Sequence, residues 1–241
     1  MSAETRKAGS RKVDAVIFDL DGLILDTERI AKRFWLMAFK EFGVVLTDEQ
    51  YLGIVGRNVR DSNMVLRNLL GDDFPVEECR ARMRETYYED IARNGLPVKP
   101  GVHELVDFLK MKSLRYAVAT STARDITMRK LELTNLVSSF ETVVAGDEVS
   151  HGKPHPEIFL KAAALLDAQP RAVVVLEDSF SGIRAAKAAG MIPIMVPDLA
   201  QPTEEIQSLA YAVVSTLSEA KEIIEEILGR TTKDYSHGPN T

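Results

Sequence analysis

A short apolar run near the start of the chain ends abruptly at a pair of aspartates. Five of the six residues from 15 to 20 are apolar, which predicts a buried strand, and Gly22 follows directly after Asp19 and Asp21. A carboxylate at the end of a buried strand is costly to desolvate unless a cation or several hydrogen-bond donors meet it. Two carboxylates one residue apart increase that cost, so the sequence predicts a metal ion at this position.

Strand and helix patterns alternate along the chain from residue 97 onward. Short apolar runs predict strands, and the amphipathic stretches between them predict helices. The predicted strands are 116–120, 142–145, 172–176 and 192–196, with 212–214 as an edge strand. Strands that alternate with helices form a parallel sheet that is covered on both faces. We therefore predict an α/β fold with a doubly wound parallel sheet.

A helical segment separates the first predicted strand from the others. Apolar residues recur at helical spacing through this segment, and no strand pattern is found in its sequence. Thr47 and Gln50 fit a capping box at the start of one short helix. We predict a separate block of helices that is inserted between the first strand and the rest of the core. The predicted boundaries are a core at 12–28 and 99–228, a helical insert at 29–98, and flexible termini at 1–11 and 229–241.

Polar residues follow the predicted strands at the end where ligands bind in open parallel sheets. These residues are Asp19 and Asp21, Thr120 and Ser121, Glu177 and Asp178, with Lys153 from the segment after the third strand. Carboxylates suit Mg²⁺, which prefers oxygen ligands. A lysine and hydroxyl groups suit the oxygens of a phosphoryl group. The pattern therefore predicts phosphate chemistry with a hard cation.

Four segments, in order along the chain, resemble the motifs of the haloacid dehalogenase-like hydrolases. They are DLDG followed by DT, a strand ending in ATS, the segment GKPHPEIF and the segment LEDSFSGI. The helical insert between the first two motifs resembles the cap of the branch that contains beta-phosphoglucomutases and phosphatases. The resemblance implies a Rossmann-like core and a phosphoric monoester hydrolase.

The resemblance also implies a role for each motif residue. Asp19 matches the nucleophile, which forms an aspartyl phosphate, and Asp21 matches the general acid and base. Thr120 matches the hydroxyl that binds the phosphoryl group, together with the backbone amide of Ser121. Lys153 matches the lysine that stabilises the nucleophile and the phosphate. These assignments are expectations that the geometry of the folded chain must support.

The family resemblance implies Mg²⁺ as the cofactor. Its expected ligands are Asp19, the backbone carbonyl of Asp21, and Asp178. Glu177 is either a further ligand or an outer-shell partner of the metal, and we favour the outer shell. Arg57, in a basic loop of the cap, is a candidate for contact with substrate; the alternative is a solvated surface arginine.

Three activities fit the resemblance to different degrees. A dehalogenase needs neither Asp21 nor a metal. Sugar phosphomutases of this branch carry a histidine shortly after the DT of the first motif, whereas this sequence reads DTERIAKRF and has no histidine between Asp14 and Leu96. We therefore expect a Mg²⁺-dependent phosphatase acting on a small phosphomonoester such as a sugar phosphate. A sugar phosphomutase is the alternative, followed by a non-catalytic protein that binds phosphate esters.

Composition limits the partners and the compartment. The net charge of −6 argues against a general nucleic-acid-binding protein, and no apolar run is long enough to span a membrane. Cys79 is the only cysteine in the sequence, which points to a reducing, cytoplasmic setting. The expected partner is a small phosphorylated metabolite, and a monomer is the default expectation.

Overall fold

A computed structural model of the chain describes residues 13–55, 57 and 59–233, with side chains described as far as residue 229. The predicted flexible segment at 1–11 and the end of the predicted tail, 234–241, lie outside the described residues. None of the helices in the described part of the chain combines the length and the apolar character needed to cross a membrane.

A six-stranded parallel sheet forms the centre of the described chain. Its strands are β1 (Ala15–Phe18), β2 (Arg115–Ala119), β3 (Val143–Val144), β4 (Val173–Glu177), β5 (Ile192–Met195) and β6 (Ala212–Val213). They lie in the order β3-β2-β1-β4-β5-β6, and every pairing is parallel. The chain thus winds outward from β1 in one direction and then in the other, which confirms the predicted doubly wound fold.

Strand β1 lies at the middle of the sheet and is buried along its whole length. Its residues alternate between two apolar clusters: Val16 and Phe18 belong to the cluster on one face, and Ala15 and Ile17 to the cluster on the other. A strand buried on both faces reads as a continuous apolar run, which is the pattern the sequence shows. The acidic pair therefore begins where the most buried strand ends.

Helices cover both faces of this sheet. They are α5 (Val102–Met111), α6 (Arg124–Leu133), α7 (Glu157–Leu165), α8 (Phe180–Ala188), α9 (Glu204–Leu209) and α10 (Leu217–Lys233). Leu105 of α5 and Ile224 of α10 join the cluster that contains Phe18, whereas Phe159 of α7 and Ala185 of α8 join the cluster on the opposite face.

Four helices form the segment between β1 and α5. They are α1 (Thr27–Glu41), α2 (Asp48–Leu52), α3 (Val59–Leu70) and α4 (Val76–Asn94). Helices α1 and α4 pack through aromatic side chains, with Phe34 and Tyr87 edge to face at 6.2 Å between ring centroids. The capping box at α2 is present as predicted, since Thr47 and Gln50 exchange backbone-to-side-chain hydrogen bonds of 2.9 and 3.2 Å.

The structure differs from the sequence prediction at two helices near the end of the chain. Helix α9 was not predicted, because only one of its six residues, Ile206, is buried and the segment shows little apolar periodicity. Helix α10 continues to Lys233, so residues 229–233 belong to a helix and not to the predicted flexible tail. Gly229 does not end α10, since a glycine inside a helix costs only about 1 kcal/mol relative to alanine.

Candidate active site

The carboxyl edge of the sheet brings together residues from all four sequence motifs. Asp19 follows β1, Thr120 follows β2 and Asp178 follows β4, while Lys153 comes from the loop between β3 and α7. These residues are buried, although each has a charged or polar side chain. The parallel topology explains why residues that are far apart in the sequence, such as Asp19 and Asp178, lie at one place.

Lys153 connects the first and last motifs. Its side chain is 1% exposed, and its Nζ donates to Oδ1 of Asp19 at 2.5 Å, to Oε1 of Glu177 at 2.7 Å and to the carbonyl oxygen of Ala119 at 3.2 Å. Burial disfavours the ammonium, but the charges of Asp19 and Glu177 outweigh it and raise the pKa of Lys153 above its usual value. The lysine therefore stays charged beside the expected nucleophile.

Three carboxylates crowd this position. Asp19, Glu177 and Asp178 each offer an oxygen, and these oxygens lie within 4.8 Å of one another. Burial raises the pKa of Asp19 to about 7, although Lys153 opposes the shift. Burial, with the charges of Glu177 and Asp19, also raises the pKa of Asp178 well above its usual range. One lysine does not offset three buried acids, so the cluster has the charge and the oxygen donors that suit a hard cation.

Glu177 and Asp178 differ in their hydrogen bonds. Lys153 occupies Oε1 of Glu177, and the backbone amide and hydroxyl of Ser179 donate to Oε2 at 2.7 and 2.8 Å. A Cβ at Gly182 would lie 1.7 Å from Oε1, so α8 approaches Glu177 as closely as only glycine permits. Among the described residues, no donor contacts the Asp178 carboxylate. The oxygens of Asp178 are thus available to a ligand, whereas those of Glu177 are already bound.

Gly22 allows Asp178 to reach the first motif. Its backbone has φ = +85°, a conformation that side chains other than glycine rarely adopt. A Cβ at this position would also lie 2.2 Å from Oδ2 of Asp178. Both constraints require glycine, which explains why the acidic pair is followed by this residue.

Asp21 lies beside the acid cluster but has a different environment. Thr27 and Lys130 donate to its Oδ1 at 2.7 and 2.5 Å, and the Thr122 hydroxyl donates to Oδ2 at 2.7 Å. Burial alone would raise the pKa of Asp21, but Lys130 and the two hydroxyls lower it below its usual value. The pKa values of the two aspartates are thus shifted in opposite directions, since the pKa of Asp19 is raised and that of Asp21 is lowered.

Sequence reasoning assigned none of these three donors to Asp21, although Thr27 lies in the DT of the first motif. Thr122 directly follows the ATS motif, and its hydroxyl was not considered. Lys130 has no motif around it, but it does carry a signal. It lies four residues after Ile126 and three after Thr127, on the side of α6 that carries its buried residues, where an apolar residue would be the ordinary choice. A charged residue on that side of the helix points to a buried partner.

Thr120 and Ser121 lie at the start of the loop after β2, as predicted. Thr120 is buried, and its Oγ1 accepts a hydrogen bond from the Thr122 amide at 3.2 Å, which leaves the hydroxyl proton to donate elsewhere. Neither residue caps the following helix, because the N-cap of α6 is Ala123 and has no side-chain cap. Both residues therefore lie at the edge of the sheet beside the acidic pair.

Arg57 lies in the loop between α2 and α3, outside the cluster of buried acids. Its side chain is exposed, and its Nε donates to the Gly53 carbonyl at 2.8 Å. It borders a cavity of about 420 Å³ between the helical segment and the core, which Tyr87, Ser121 and Lys130 also line. The predicted loop neighbour Gly56 lies outside the described residues. Arg57 thus shares a cavity with Ser121, from one of the predicted motifs.

Comparisons with known proteins agree with this arrangement. The family model described as haloacid dehalogenase-like hydrolase matches residues 16–196. A Phosphorylated carbohydrates phosphatase from Thermotoga maritima is 32% identical over 88% of this chain and 91% of its own. The (DL)-glycerol-3-phosphatase 2 of Arabidopsis thaliana is 33% identical over 89% of this chain and 91% of its own.

A solved structure from Thermotoga maritima, assigned provisionally as a beta-phosphoglucomutase, covers 90% of this chain with 32% identity and a TM-score of 0.70, and all of its own chain is matched. Family and relatives together confirm the predicted class of enzyme, a phosphoric monoester hydrolase. The four motifs, the parallel sheet and the extent of these matches lead to one assignment. The chain belongs to the haloacid dehalogenase-like hydrolases.

Proposed function

We propose that the protein is a Mg²⁺-dependent phosphatase that hydrolyses a small phosphomonoester, of the sugar phosphate class, through an aspartyl phosphate. The observation that carries this proposal is the pairing of two unlike aspartates at one sheet edge. Asp19 contacts Lys153 within a cluster of acids, and Asp21 is held separately by three donors. Two carboxylates in different environments suit two different roles.

In the first step of this mechanism, an oxygen of Asp19 attacks the phosphorus atom. The bond between phosphorus and the leaving oxygen breaks, and Asp21 donates a proton to that oxygen. Lys130 lowers the pKa of Asp21 in the free site, and the negative charge of a bound phosphoryl group opposes this effect and favours the protonated form. The Thr120 hydroxyl and the Ser121 amide bind the oxygens of the phosphoryl group, and the positive charge of Lys153 beside Asp19 stabilises their negative charge. The products of this step are the alcohol and the aspartyl phosphate at Asp19.

In the second step, water attacks the phosphorus atom of the aspartyl phosphate. Asp21 now accepts a proton from this water, so that the residue returns to its starting state after both steps. The bond between phosphorus and the Asp19 oxygen breaks, which releases inorganic phosphate and restores the carboxylate. Lys153 stays beside Asp19 throughout and offsets its charge when the carboxylate is free.

The residues at this edge suit Mg²⁺. We propose that Asp19, Asp178 and the backbone carbonyl of Asp21 hold it, because the Asp178 carboxylate receives no donor from the described residues and lies in a cluster with excess negative charge. Both carboxylate oxygens of Glu177 already accept hydrogen bonds, and we propose that Glu177 holds the Lys153 ammonium in position. When bound, Mg²⁺ supplies positive charge to the oxygens of the phosphoryl group.

Substrate selection is proposed to depend on the helical segment at 29–98, acting as a cap that closes over the site and excludes water. The cavity beside Ser121 and Arg57 separates this segment from the core and is large enough for a small metabolite. Names of relatives refer to phosphorylated carbohydrates and to glycerol 3-phosphate, which supports a small polyol or sugar ester as substrate. Arg57→Ala is expected to change KM values across such substrates, and unchanged values would remove Arg57 from this role.

A sugar phosphomutase is the second candidate, because one solved relative carries that provisional assignment. The absence of histidine between Asp14 and Leu96 favours hydrolysis over transfer. A monomeric enzyme of the cytoplasm is proposed as the working form, and the free, buried Cys79 is consistent with a reducing compartment. Size-exclusion chromatography with light scattering tests the monomer.

A phosphomonoester panel tests the proposed activity. The purified protein is incubated with glycerol 3-phosphate, hexitol phosphates or hexose phosphates, with MgCl₂ or with EDTA, and free phosphate and isomerised sugar phosphate are both measured. We expect phosphate release that requires Mg²⁺. Isomerisation of hexose 1-phosphate without phosphate release would establish the mutase instead, and a folded protein with no turnover at all would contradict both.

A further inference from the structure

Lys130 is a buried lysine that none of the four motifs contains. It comes from α6, in the core, and its side chain is 8% exposed. Its Nζ lies 2.5 Å from Oδ1 of Asp21 and over the ring of Tyr87 in α4, 6.0 Å from the ring centroid. Asp21 is the acidic partner of Lys130 among the described residues. The ammonium is thus directed at the expected acid and base from the core side of the site.

Burial of an ammonium in this position needs a reason. Lys130 lies on the covered side of α6 with Thr127 and Leu131, where an uncharged side chain would fill the space without any cost of desolvation. The free-energy cost of removing an ammonium from water is offset only by a close, oppositely charged partner with good geometry. Asp21 is that partner, so the presence of a lysine here is explained by Asp21 and by what Asp21 does.

We propose that Lys130 is a positioning residue that holds the Asp21 carboxylate in the orientation required for proton transfer to the leaving oxygen of the substrate. This inference rests on the proposed phosphatase activity, in which Asp21 is the general acid and base. Lys130 does not contact the reacting atoms in this scheme, and its effect passes through Asp21.

The hydrogen bonds at Asp21 explain how this positioning works. A carboxylate has about four lone-pair sites for hydrogen bonds. Thr27 and Lys130 use Oδ1, and Thr122 uses Oδ2, so that three donors leave one site, on Oδ2, for the substrate. The donors come from three separate parts of the chain, and rotation of the carboxylate would break bonds on both oxygens. Lys130 supplies the one charged contact of the three, and charge-assisted hydrogen bonds are the stronger kind.

The test compares two substrates that differ in their need for an acid. Glycerol 3-phosphate has an alkoxide leaving group that requires protonation, whereas the p-nitrophenolate of p-nitrophenyl phosphate leaves readily without it. The ratio kcat/KM reports the steps up to formation of the aspartyl phosphate, so it isolates the step in which Asp21 acts as acid. For Lys130→Met, we expect kcat/KM to fall at least about tenfold for glycerol 3-phosphate, which is a part of the roughly 10²–10⁴-fold that a positioned acid contributes. For p-nitrophenyl phosphate we expect less than about a threefold fall.

Arg129→Met is the matched control, because Arg129 is the neighbouring cation on α6 and lies over the ring of Tyr88 at 4.9 Å with no contact to Asp21. We expect it to retain the ratio of the two kcat/KM values. Lys130→Arg keeps a cation and is expected to restore most of the glycerol 3-phosphate activity. If Lys130→Met does not fold, as judged by circular dichroism, Lys130→Gln is measured in its place with the same criterion.

A double variant separates action through Asp21 from a general effect. In an Asp21→Asn background, Lys130→Met should cause no further loss of kcat/KM for glycerol 3-phosphate, since the two residues act as one unit. An equal fall for both substrates in the folded Lys130→Met variant, no fall for either, or a full additional loss in the double variant would each overturn the inference. Failure of the wild-type protein to hydrolyse either substrate would contradict the proposed function itself.

Discussion

At the scale of single residues, the site is built from groups whose charges are unfavourable alone and favourable together. Asp19, Glu177 and Lys153 form one such set, in which a buried ammonium lies between two carboxylates. Asp21 and Lys130 form a second ion pair beside it. Removal of one member leaves a buried charge without its partner, so substitutions at these positions should affect both stability and activity.

The Asp19→Asn variant should lose at least about 10³-fold in kcat, because an amide is not a nucleophile for the phosphoryl group and the residual rate comes from the remaining groups. Phosphate release from the best substrate of the panel measures this. Asp72→Asn, on the exposed surface of the helical segment, is the matched control. Full activity in Asp19→Asn would assign the nucleophile elsewhere.

Lys153→Met should lower the free energy of unfolding of the metal-free protein by about 3 kcal/mol. This value is the lower end of the range of about 3–5 kcal/mol for removal of one partner from a buried ion pair. Asp19 and Glu177 would then face each other without a cation. Urea unfolding followed by circular dichroism, with EDTA present, measures the change. Lys187→Met replaces an exposed lysine on α8 and should leave the free energy of unfolding within about 0.5 kcal/mol. Equal effects of the two substitutions would contradict this account of Lys153.

At the scale of elements, the two connections between the core and the helical segment run side by side. Leu25 and Val98 form an antiparallel bridge. The backbone amide of Asp26 donates to the Pro97 carbonyl at 3.0 Å, and the backbone amide of Lys99 donates to the Ile24 carbonyl at 2.8 Å.

Asp198, in the loop after β5, accepts from Lys99 at 2.7 Å and from Arg29 at 3.4 Å. Its side chain is 1% exposed, so a single core residue contacts both connections at their base.

Replacement of Asp198 by asparagine should loosen these connections, because it removes the charge that holds Lys99 and Arg29. We expect the amides of Asp26 and Lys99 to exchange their hydrogens at least about fivefold faster, with the amides of β1 unchanged, since local opening needs no global unfolding. Hydrogen exchange with mass spectrometry measures this. Asp167→Asn, at an exposed carboxylate, serves as control. Exchange that stays equal in both variants would show that Asp198 does not hold the connections.

At the scale of the whole molecule, the acids at the carboxyl edge oppose folding until a cation binds. Burial raises the pKa of Asp178, and a carboxyl with a higher pKa in the folded state makes folding less favourable above its unfolded value of about 3.9. At neutral pH this effect therefore lowers the free energy of unfolding of the apo protein. A cation that binds only the folded chain offsets the loss of stability.

MgCl₂ should thus raise the free energy of unfolding, by about 2.7 kcal/mol at a concentration 100 times the dissociation constant. In Asp178→Asn, we expect an apo protein that is more stable than the wild type at neutral pH and a much smaller response to MgCl₂. Thermal unfolding at matched ionic strength, with NaCl as the control salt, measures both effects. A response to MgCl₂ that is the same in the two proteins would place the cation at another site.

The sequence predicted the parts of this molecule that depend on neighbouring residues. The apolar run before Asp19, the capping box at Thr47 and the alternation of strands with helices after residue 97 all follow from local patterns, and each is present. The contacts of Lys130 with Asp21 and of Asp198 with Lys99 were not predicted, because they join distant parts of the chain and leave no periodic signal. Position on the covered side of a helix was the one indication available for Lys130.

The bridge between Leu25 and Val98 has a consequence for how such a protein can change over evolutionary time. Because the chain leaves the core and re-enters it at adjacent backbone positions, the intervening segment can be exchanged for another of different length without moving the strands. Asp19, Lys153 and Asp178 lie outside that segment and would keep their positions. Under the proposed roles of these residues and of the helical segment, the reaction and the choice of substrate depend on different parts of the chain, so a descendant could acquire a new substrate by replacing one continuous stretch of its gene.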